Sequence, residues 1–505
     1  MFHLWLNIPV ADIPTSPSVA VHPGSDKSGR SPLYGFLSRH GDKILALVPL
    51  AFLIWVVAQY AVAVPYLDQW ELVPLLDKTY HGELTFHNLW AQHNEHRILF
   101  PQIIMLLLAR LTRWNIHYEL AVNVTLALGI FTVFIYQVTI TGRKLGIAGL
   151  HWAIPAISLV VFSISQYQNW LWGWQLQMFL NLLAVTGGIV LLANDTFRWS
   201  KFAAAALLGI VATYSFADGA LIWPIGLLLL LLVKTRAGER RAAAVGWILI
   251  GALTMGTYFY HYQKPEEHPP LGLIFKMPFE YAAYVFKYIG GICAQGLGGD
   301  VSSDGDFAFV FGLAGTVAAG WAGWTLFRKK IADPGTLLPY FGLSLYSVGS
   351  ALITGVGRLG FGSDQALASR YCTMVTPLWV SLVVWLVLLR NRRPPAADTG
   401  PAPGPRRKPV PDPCQTVATW MLLAVLVMLT LGTVFGTDGA KALSREQTFG
   451  RNCLLNVAAN PASETDYQGL RAIYPRPKVV VERYPILIKH RLSLFQDAQT
   501  SSVSQ

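Results

Sequence analysis

Long apolar segments recur along this chain, and they restrict its possible folds more than any other feature. Each run is about 18–22 residues long, which is the length a helix needs to cross a hydrocarbon layer of roughly 30 Å. A helix is required because every backbone N–H and C=O group in lipid must find its hydrogen-bond partner within its own segment. Only 13% of the 505 residues are charged, about half the usual share of a soluble domain. The sequence therefore predicts an all-α polytopic membrane protein.

We expect about eleven transmembrane helices in a membrane domain that covers residues 44–436. The predicted spans are 44–64, 117–139, 150–167, 175–193, 202–216, 219–233, 242–260, 307–327, 335–355, 372–390 and 416–436. Residues 97–113 are apolar but short, and they contain Pro101 and three arginines. We interpret this segment as an interfacial or re-entrant helix of the first outer loop.

Clusters of Lys and Arg precede the first predicted span and follow every second span after it. With eleven spans all these clusters lie on one side, which the positive-inside rule assigns to the cytoplasm. Residues 1–43, rich in Ser, Pro and Gly, are predicted to be a disordered cytoplasmic arm, and 437–505 an extracytoplasmic tail. The expected location is the bacterial inner (cytoplasmic) membrane, with membrane lipids as partners. The same pattern explains the net charge of +11 without a nucleic-acid partner.

The predicted outer loops are longer than the inner ones and mix carboxylates with His, Trp and Tyr. The three long outer loops are 65–116, 261–306 and 356–371. Because functional residues are concentrated on loops that a rigid scaffold holds, we expect the chemistry on this side. We interpret 261–306 itself as a flexible loop, because its Gly- and Asp-rich end lacks the residue order of a calcium-binding loop.

Two carboxylates open the first outer loop, and we predict that they are catalytic. Asp68 follows the end of the first span by only a few residues, so it is expected near the lipid headgroups, with Glu71 close by. A carboxylate at this depth can act as a general base or hold a divalent cation. The alternative is an ordinary solvated loop, but a charge so close to the membrane is costly without a function.

The densest polar cluster of the loop is His93-Asn94-Glu95-His96-Arg97. On a helix His93 and His96 would share a face, which suits a metal ion or a proton relay. The cluster lacks the HExxH zinc signature and a third ligand at matching spacing, so a metal site stays undetermined. We predict that His93, Glu95, His96 and Arg97 bind substrate, with Arg97 facing a phosphate or carboxylate. A purely structural network is the alternative.

Arginines also stand at the outer ends of late spans, against the positive-inside trend. We predict that Arg358, Arg370 and Tyr371 bind phosphate, because the forked donors of a guanidinium match phosphate oxygens. The alternative for the arginines is contact with the phosphates of membrane lipids. Arg370 is the better candidate, since Tyr371 stands beside it.

Three further residues are candidate substrate contacts: Asp218, Trp172 and Gln175. Asp218 lies in a short predicted turn between two spans, where it either caps a helix or supplies a second site carboxylate. Trp172 and Gln175 belong to an edge rich in Trp and Gln, and such aromatic faces with amide donors suit sugar rings. A tryptophan belt at the membrane interface explains the same pattern.

The order of these features resembles the GT-C class of integral-membrane glycosyltransferases. The resemblance consists of a cytoplasmic N-terminus, a first span, a long outer loop opening with an acidic residue, interfacial helices, and ten or so further spans. It implies transfer of a sugar from a polyprenyl-phosphate donor to an envelope glycan, lipid or protein at the outer face. It further implies that Asp68 is the early-loop acidic residue, and that Arg370 or Arg358 holds the phosphate.

The sequence departs from the commonest GT-C form, because Asp68 is followed by Gln69 rather than by a second carboxylate. This leaves metal dependence open, with a divalent cation as the only cofactor to consider. A rival hypothesis is a multi-span transporter or flippase of a lipid-linked or envelope substrate. A transporter predicts charged or Gly/Pro-broken spans near the middle of the membrane. Here the polar residues gather at one face, which favours an enzyme.

Overall fold

The computed structural model describes residues 32–193, 196–265, 269–391, 412–460 and 463–496. All regular structure in these ranges is helical, which confirms the all-α prediction. The predicted disordered arm falls mainly on residues 1–31, outside the described ranges, and its remainder from Pro32 onward is helical. The four cysteines lie in described ranges, and each is a buried, free thiol.

Nineteen α-helices follow one another in the described ranges, joined by short 3₁₀ turns. In chain order they are α1 (Pro32–Tyr60), α2 (Val73–His81), α3 (Phe86–Trp90), α4 (Leu99–Thr112), α5 (Ile116–Leu145), α6 (Ala153–Val161), α7 (Tyr167–Leu171), α8 (Leu176–Ala193), α9 (Trp199–Thr213), α10 (Ile222–Leu232), α11 (Ala237–Phe259), α12 (Leu273–Lys276), α13 (Pro278–Ala294), α14 (Val301–Arg328), α15 (Pro334–Arg358), α16 (Cys372–Arg390), α17 (Pro413–Ala459), α18 (Glu464–Gly469) and α19 (Pro477–Lys489).

Nine segments of the described chain are helical, long and apolar enough to cross a membrane, so the protein is a multi-pass helical membrane protein. They are His40–Tyr60, Ile116–Leu145, Gly149–Leu171, Gly173–Ala193, Ala237–Phe259, Val301–Arg328, Pro334–Phe361, Ser369–Arg390 and Pro413–Ala459. The other two predicted spans, 202–216 and 219–233, correspond to shorter apolar helices, Trp199–Thr213 and Ala217–Leu232. The total of eleven therefore stays a prediction. Helix α4 has 14 residues, too few to span on its own.

The nine segments divide into central and peripheral helices. In Ser369–Arg390 the most apolar stretch is completely buried (100%), because α16 is apolar around its whole circumference. Gly149–Leu171, Gly173–Ala193 and Pro334–Phe361 are also mostly buried, at 67–78%. The remaining five are only 22–33% buried, and their exposed apolar faces suit contact with lipid.

The segment 261–306, expected to be a flexible loop, contains the well-packed helix α13. Gly290 of α13 and Gly312 of α14 lie where the two helices touch, and a Cβ atom at either would stand 1.9 Å from a carbonyl oxygen of the other helix. Only glycine allows this approach. The expectation failed because α13 is short and interrupted by Lys287 and two glycines, so it does not read as a span.

The C-terminal segment, which we define as residues 437–460 and 463–496, is part of the folded structure. Helix α17 continues as one element far beyond the predicted span end at 436, to Ala459. The following segment then returns to the first loop, where the Leu67 N–H donates to the Ile473 carbonyl over 2.7 Å. Arg483 on α19 donates to the Trp70 carbonyl over 2.9 Å. The predicted tail is therefore a wall of the region that follows the first span.

Candidate functional site

A cavity of about 1230 Å³ lies between the first loop, the C-terminal segment and the ends of several long helices. It exceeds the roughly 300–1,000 Å³ of an ordinary small-molecule site. Eleven of the twelve predicted site residues line it: Asp68, Glu71, His93, Glu95, His96, Trp172, Gln175, Asp218, Arg358, Arg370 and Tyr371. Residues from positions 68 to 371 thus share one space, and the roles predicted for them stay predictions.

Asp68 lies on a 3₁₀ turn, Leu67–Leu72, that follows the first long helix. Leu67 enters this turn with φ of +46°, a left-handed conformation that a leucine adopts only when its surroundings impose it. The Asp68 side chain is 36% exposed, and its nearest basic neighbour is His93 Nε2 at 3.9 Å. Among the described residues no lysine or arginine pairs with it. Its carboxylate oxygens therefore remain available to a molecule in the cavity.

A buried network fixes this turn from beneath. The Tyr66 N–H donates to Gln69 Oε1 over 3.1 Å, and Gln69 Nε2 donates to Glu119 Oε2 over 2.5 Å. The Trp114 indole donates to the other Glu119 oxygen over 2.8 Å. Gly173 completes the arrangement, because a Cβ there would lie 2.0 Å from Glu119 Oε2. These contacts determine the backbone on both sides of Asp68.

Glu71, the second predicted catalytic residue, is already engaged by the C-terminal segment. It accepts hydrogen bonds from the Tyr474 hydroxyl over 2.6 Å and from Arg483 Nη1 over 2.9 Å. Burial acts to raise the pKa of Glu71, but these two donors outweigh it and hold the pKa below its ordinary value. Glu71 is thus an ionised, neutralised carboxylate and is less suited than Asp68 to accept a proton.

The His93–His96 cluster forms a tight reverse turn, so the two imidazoles do not share a helix face. His93 and His96 exchange two backbone hydrogen bonds of 2.8 and 2.9 Å, and Asn94 adopts the left-handed φ of +50° that asparagine tolerates. The His93 ring packs against Trp174, with ring centres 4.9 Å apart. The turn directs both imidazoles into the cavity.

His96 is kept neutral by its surroundings. Burial lowers the pKa of its imidazole to about 4, and the nearby Glu95 carboxylate only partly opposes this shift. The Ala217 N–H donates to His96 Nδ1 over 3.2 Å, which assigns the ring proton to Nε2. That nitrogen lies 3.4 Å from a Glu95 oxygen. The same Glu95 oxygen forms an ion pair with Arg358, so the charge of Arg358 is already balanced.

Arg97 lies outside the cavity, so its position gives no support to the predicted contact with a substrate anion. Its guanidinium donates to the backbone carbonyls of Tyr258, Trp90 and Tyr260, each over 2.6 Å. Its side chain connects the first outer loop to the end of α11. This arrangement agrees with the alternative interpretation, in which the cluster is a structural network. The sequence shows the arginine but not the carbonyls that surround it.

Arg370 differs from Arg358 in having no carboxylate within salt-bridge distance among the described residues. Its guanidinium lies over the ring of Tyr371, 5.1 Å from the ring centre. It also lines a second cavity of about 460 Å³, together with Tyr167 and Phe435. Arg370 therefore presents a positive charge where two cavities meet.

The three remaining candidates contribute polar and aromatic surface. Asp218 is 3% exposed and accepts a hydrogen bond from the Ser350 hydroxyl, so it does not cap a helix. Trp172 packs edge-on against Tyr66 with ring centres 5.7 Å apart. Both polar atoms of the buried Gln175 amide lack a hydrogen-bond partner among the described residues. Such unsatisfied atoms normally bond to a ligand or to water.

Several residues that line the cavity were missed from the sequence: Gln177, Tyr258, Tyr262, Tyr474 and Arg476. Tyr474 and Arg476 come from the C-terminal segment, which was interpreted as a separate tail. The basic character of that segment, on a side where lysine and arginine are usually sparse, was the signal that could have indicated a role.

Models of known protein families, curated proteins and solved structures were compared with the chain, and none of them matches it. The interpretation of the cavity therefore depends on its own residues.

Proposed function

We propose that the protein is a membrane glycosyltransferase of GT-C type. It moves a sugar from a polyprenyl-phosphate donor to a cell-envelope acceptor at the outer face of the bacterial inner membrane. The observation that carries the proposal is that Asp68 and Arg370 line one cavity, while no residue in the described part of the chain neutralises either of them with a strong opposite charge. A transferase with a phosphate leaving group needs one group that accepts a proton and another that stabilises an anion.

In this mechanism the hydroxyl oxygen of the acceptor attacks the anomeric carbon of the donor, and Asp68 accepts the proton of that hydroxyl. The bond between that carbon and the phosphate oxygen breaks, and the electron pair leaves with the lipid phosphate. Arg370 stabilises the phosphate, because its fork of N–H groups matches two phosphate oxygens. Asp68 then releases its proton to solvent. A divalent cation beside Asp68 stays a prediction.

The remaining wall of the cavity suits a sugar ring. Trp172 and Trp174 provide aromatic faces, and the Gln175 amide provides a donor and an acceptor with no other partner among the described residues. His93 and the neutral His96 supply further polar atoms. A ring that is apolar on its faces and hydroxylated at its edge matches this combination.

The test compares two carboxylates of the same turn. The purified protein in nanodiscs is incubated with a panel of radiolabelled short-chain polyprenyl-phosphate hexoses and pentoses and with an envelope extract as acceptor. For the donor that the wild type uses, Asp68→Asn should lower the transfer rate by roughly 10²–10⁴, the usual contribution of a general base. Glu71→Gln should lower it by less than about tenfold, because Glu71 is held by Arg483 and Tyr474.

Full activity of a correctly folded Asp68→Asn variant would contradict the assignment of the base. If no donor in the panel yields a glycosylated product, but the protein moves a fluorescent polyprenyl-phosphate sugar across a proteoliposome membrane, the transporter hypothesis replaces the transferase.

A further inference from the structure

A second polar cluster lies outside the cavity, where the C-terminal segment packs on helix α2. Asp77 and His81 stand one turn apart on α2, and His490 follows the end of α19. Their ligand atoms all lie within 4.8 Å of one another, and within the described chain this is the one such group of three His, Cys, Asp or Glu side chains. Two imidazoles and a carboxylate are a donor set that zinc and similar divalent ions prefer.

The spacing of the cluster is close to that of a metal site. Two ligand atoms at about 2.0–2.1 Å from a tetrahedral zinc ion lie about 3.3 Å apart. Here Asp77 Oδ1 lies 2.7 Å from His490 Nε2, and one ligand atom from each of the three side chains lies within 4.8 Å of the other two. Small side-chain rotations would bring these groups to the required spacing, and His81 is free to rotate because its side chain is 41% exposed.

The cluster also has the outer hydrogen bonds typical of a metal site. His81 Nδ1 lies 2.8 Å from the Asp77 backbone carbonyl, so its proton is donated there and Nε2 carries the lone pair. A metal-binding histidine is usually oriented in this way by a carbonyl or carboxylate. The His490 ring is held by stacking on Tyr80, with ring centres 4.3 Å apart. Two of the three ligands are thus already oriented.

A cation already contacts two of the three groups. The ammonium group of Lys489 lies 3.1 Å from His81 Nε2 and 3.5 Å from Asp77 Oδ1. The Lys489 side chain is 56% exposed, and such a long chain can turn its charged end into solvent. The space beside His81 and Asp77 therefore accepts positive charge, and a divalent ion can replace the ammonium.

We propose that Asp77, His81 and His490 bind a zinc-class divalent ion that displaces the Lys489 ammonium. The ion joins the first loop to the C-terminal segment, both of which line the cavity. This proposal does not depend on the glycosyltransferase hypothesis, since a metal clip between these segments is compatible with any function of the cavity.

The experiment is a zinc titration of the full-length protein in nanodiscs after removal of metals with EDTA. Isothermal calorimetry at neutral pH should detect one site in the wild type. His490→Ala and His81→Ala should each weaken binding by at least roughly 100-fold, because the loss of a ligand costs no less than the 10–100-fold effect of losing an outer hydrogen-bond partner. Lys489→Met should strengthen binding about tenfold, because zinc then displaces no ammonium. His87→Ala, which removes an exposed histidine of helix α3, is the matched control and should leave zinc affinity unchanged.

Cobalt(II) provides an independent readout, because a site with nitrogen and oxygen ligands gives visible absorption bands that disappear in His490→Ala. The proposal is overturned if the wild type binds no zinc up to about 1 mM. It is equally overturned if the two histidine variants bind as tightly as the wild type. An unchanged affinity of Lys489→Met would show that the ammonium does not occupy the ion's position.

Discussion

The wall of the cavity contains two kinds of charged residue. Glu71 is neutralised by Arg483, and Arg358 by Glu95. Asp68 and Arg370 have no such partner among the described residues. A charge removed from water is costly unless an opposite charge or hydrogen bonds compensate for it. The first kind is compensated within the protein, whereas for the second kind we propose that a substrate supplies the compensation.

The compensated pairs also have a structural effect. Each joins distant parts of the chain, because Glu71 in the first loop meets the C-terminal segment and Glu95 meets the end of α15. Removing one partner deprives the other charge of its ion pair, so these residues are expected to affect folding more than binding. For Asp68 and Arg370 we expect the reverse.

The largest effect in this comparison is predicted for the two arginines. Arg370→Gln should weaken the binding of a short-chain polyprenyl monophosphate by roughly 30–160-fold, the value of a charge-assisted hydrogen bond of about 2–3 kcal/mol. Arg358→Gln should change binding by less than about threefold, yet lower the free energy of unfolding by about 1–3 kcal/mol, because the ion pair with Glu95 is lost. Native mass spectrometry measures the binding, and thermal unfolding in detergent measures the stability.

The opposite result for the two arginine variants would contradict the distinction between charges that are paired within the protein and charges that are not. If Arg358→Gln loses lipid phosphate binding at unchanged stability while Arg370→Gln retains it, the ion pair with Glu95 must open for substrate.

An effect on stability alone is predicted for His96, which lies next to the Glu95–Arg358 pair. Its pKa is lowered to about 4 in the folded protein, against 6.5 for an unperturbed histidine. The unfolded chain therefore binds more protons between these values, so stability is complete above pH 6.5 and falls as the pH decreases toward 4. The full change is about 3 kcal/mol.

The measurement is the unfolding midpoint of wild type and His96→Gln across this pH range, taken as a difference so that other titrating groups cancel. The unfolding midpoint of the wild type should fall relative to that of His96→Gln as the pH decreases from 6.5 toward 4. A difference that stays constant with pH would show that His96 is not kept neutral by burial.

Much of the fold could be predicted from the sequence, because the constraints of lipid apply to each segment separately. Length and apolar composition are sufficient for a helix such as 369–390. The same two properties do not predict α13, because its packing depends on the close contact of Gly290 with another helix. They also fail for the C-terminal segment, since its position depends on hydrogen bonds to residues some 400 positions earlier, such as that from Arg483 to Trp70.

The membership of the cavity was largely predictable because unusual polar residues next to membrane spans are costly without a use. The sequence does not show which of these residues form ion pairs or hydrogen bonds with one another. Nothing in it shows that Glu95 neutralises Arg358, that Tyr474 and Arg483 hold Glu71, or that Arg97 binds carbonyls instead of an anion. These contacts follow from tertiary structure alone.

The most direct test of the central claim is a cryo-electron microscopy structure of Asp68→Asn bound to a polyprenyl-phosphate sugar, the substitution being used to prevent turnover. We expect the phosphate to contact Arg370, the anomeric carbon to lie within reach of residue 68, and the Glu95–Arg358 pair to stay closed. A phosphate bound at Arg358 with that pair broken, or a lipid located outside the cavity, would contradict it.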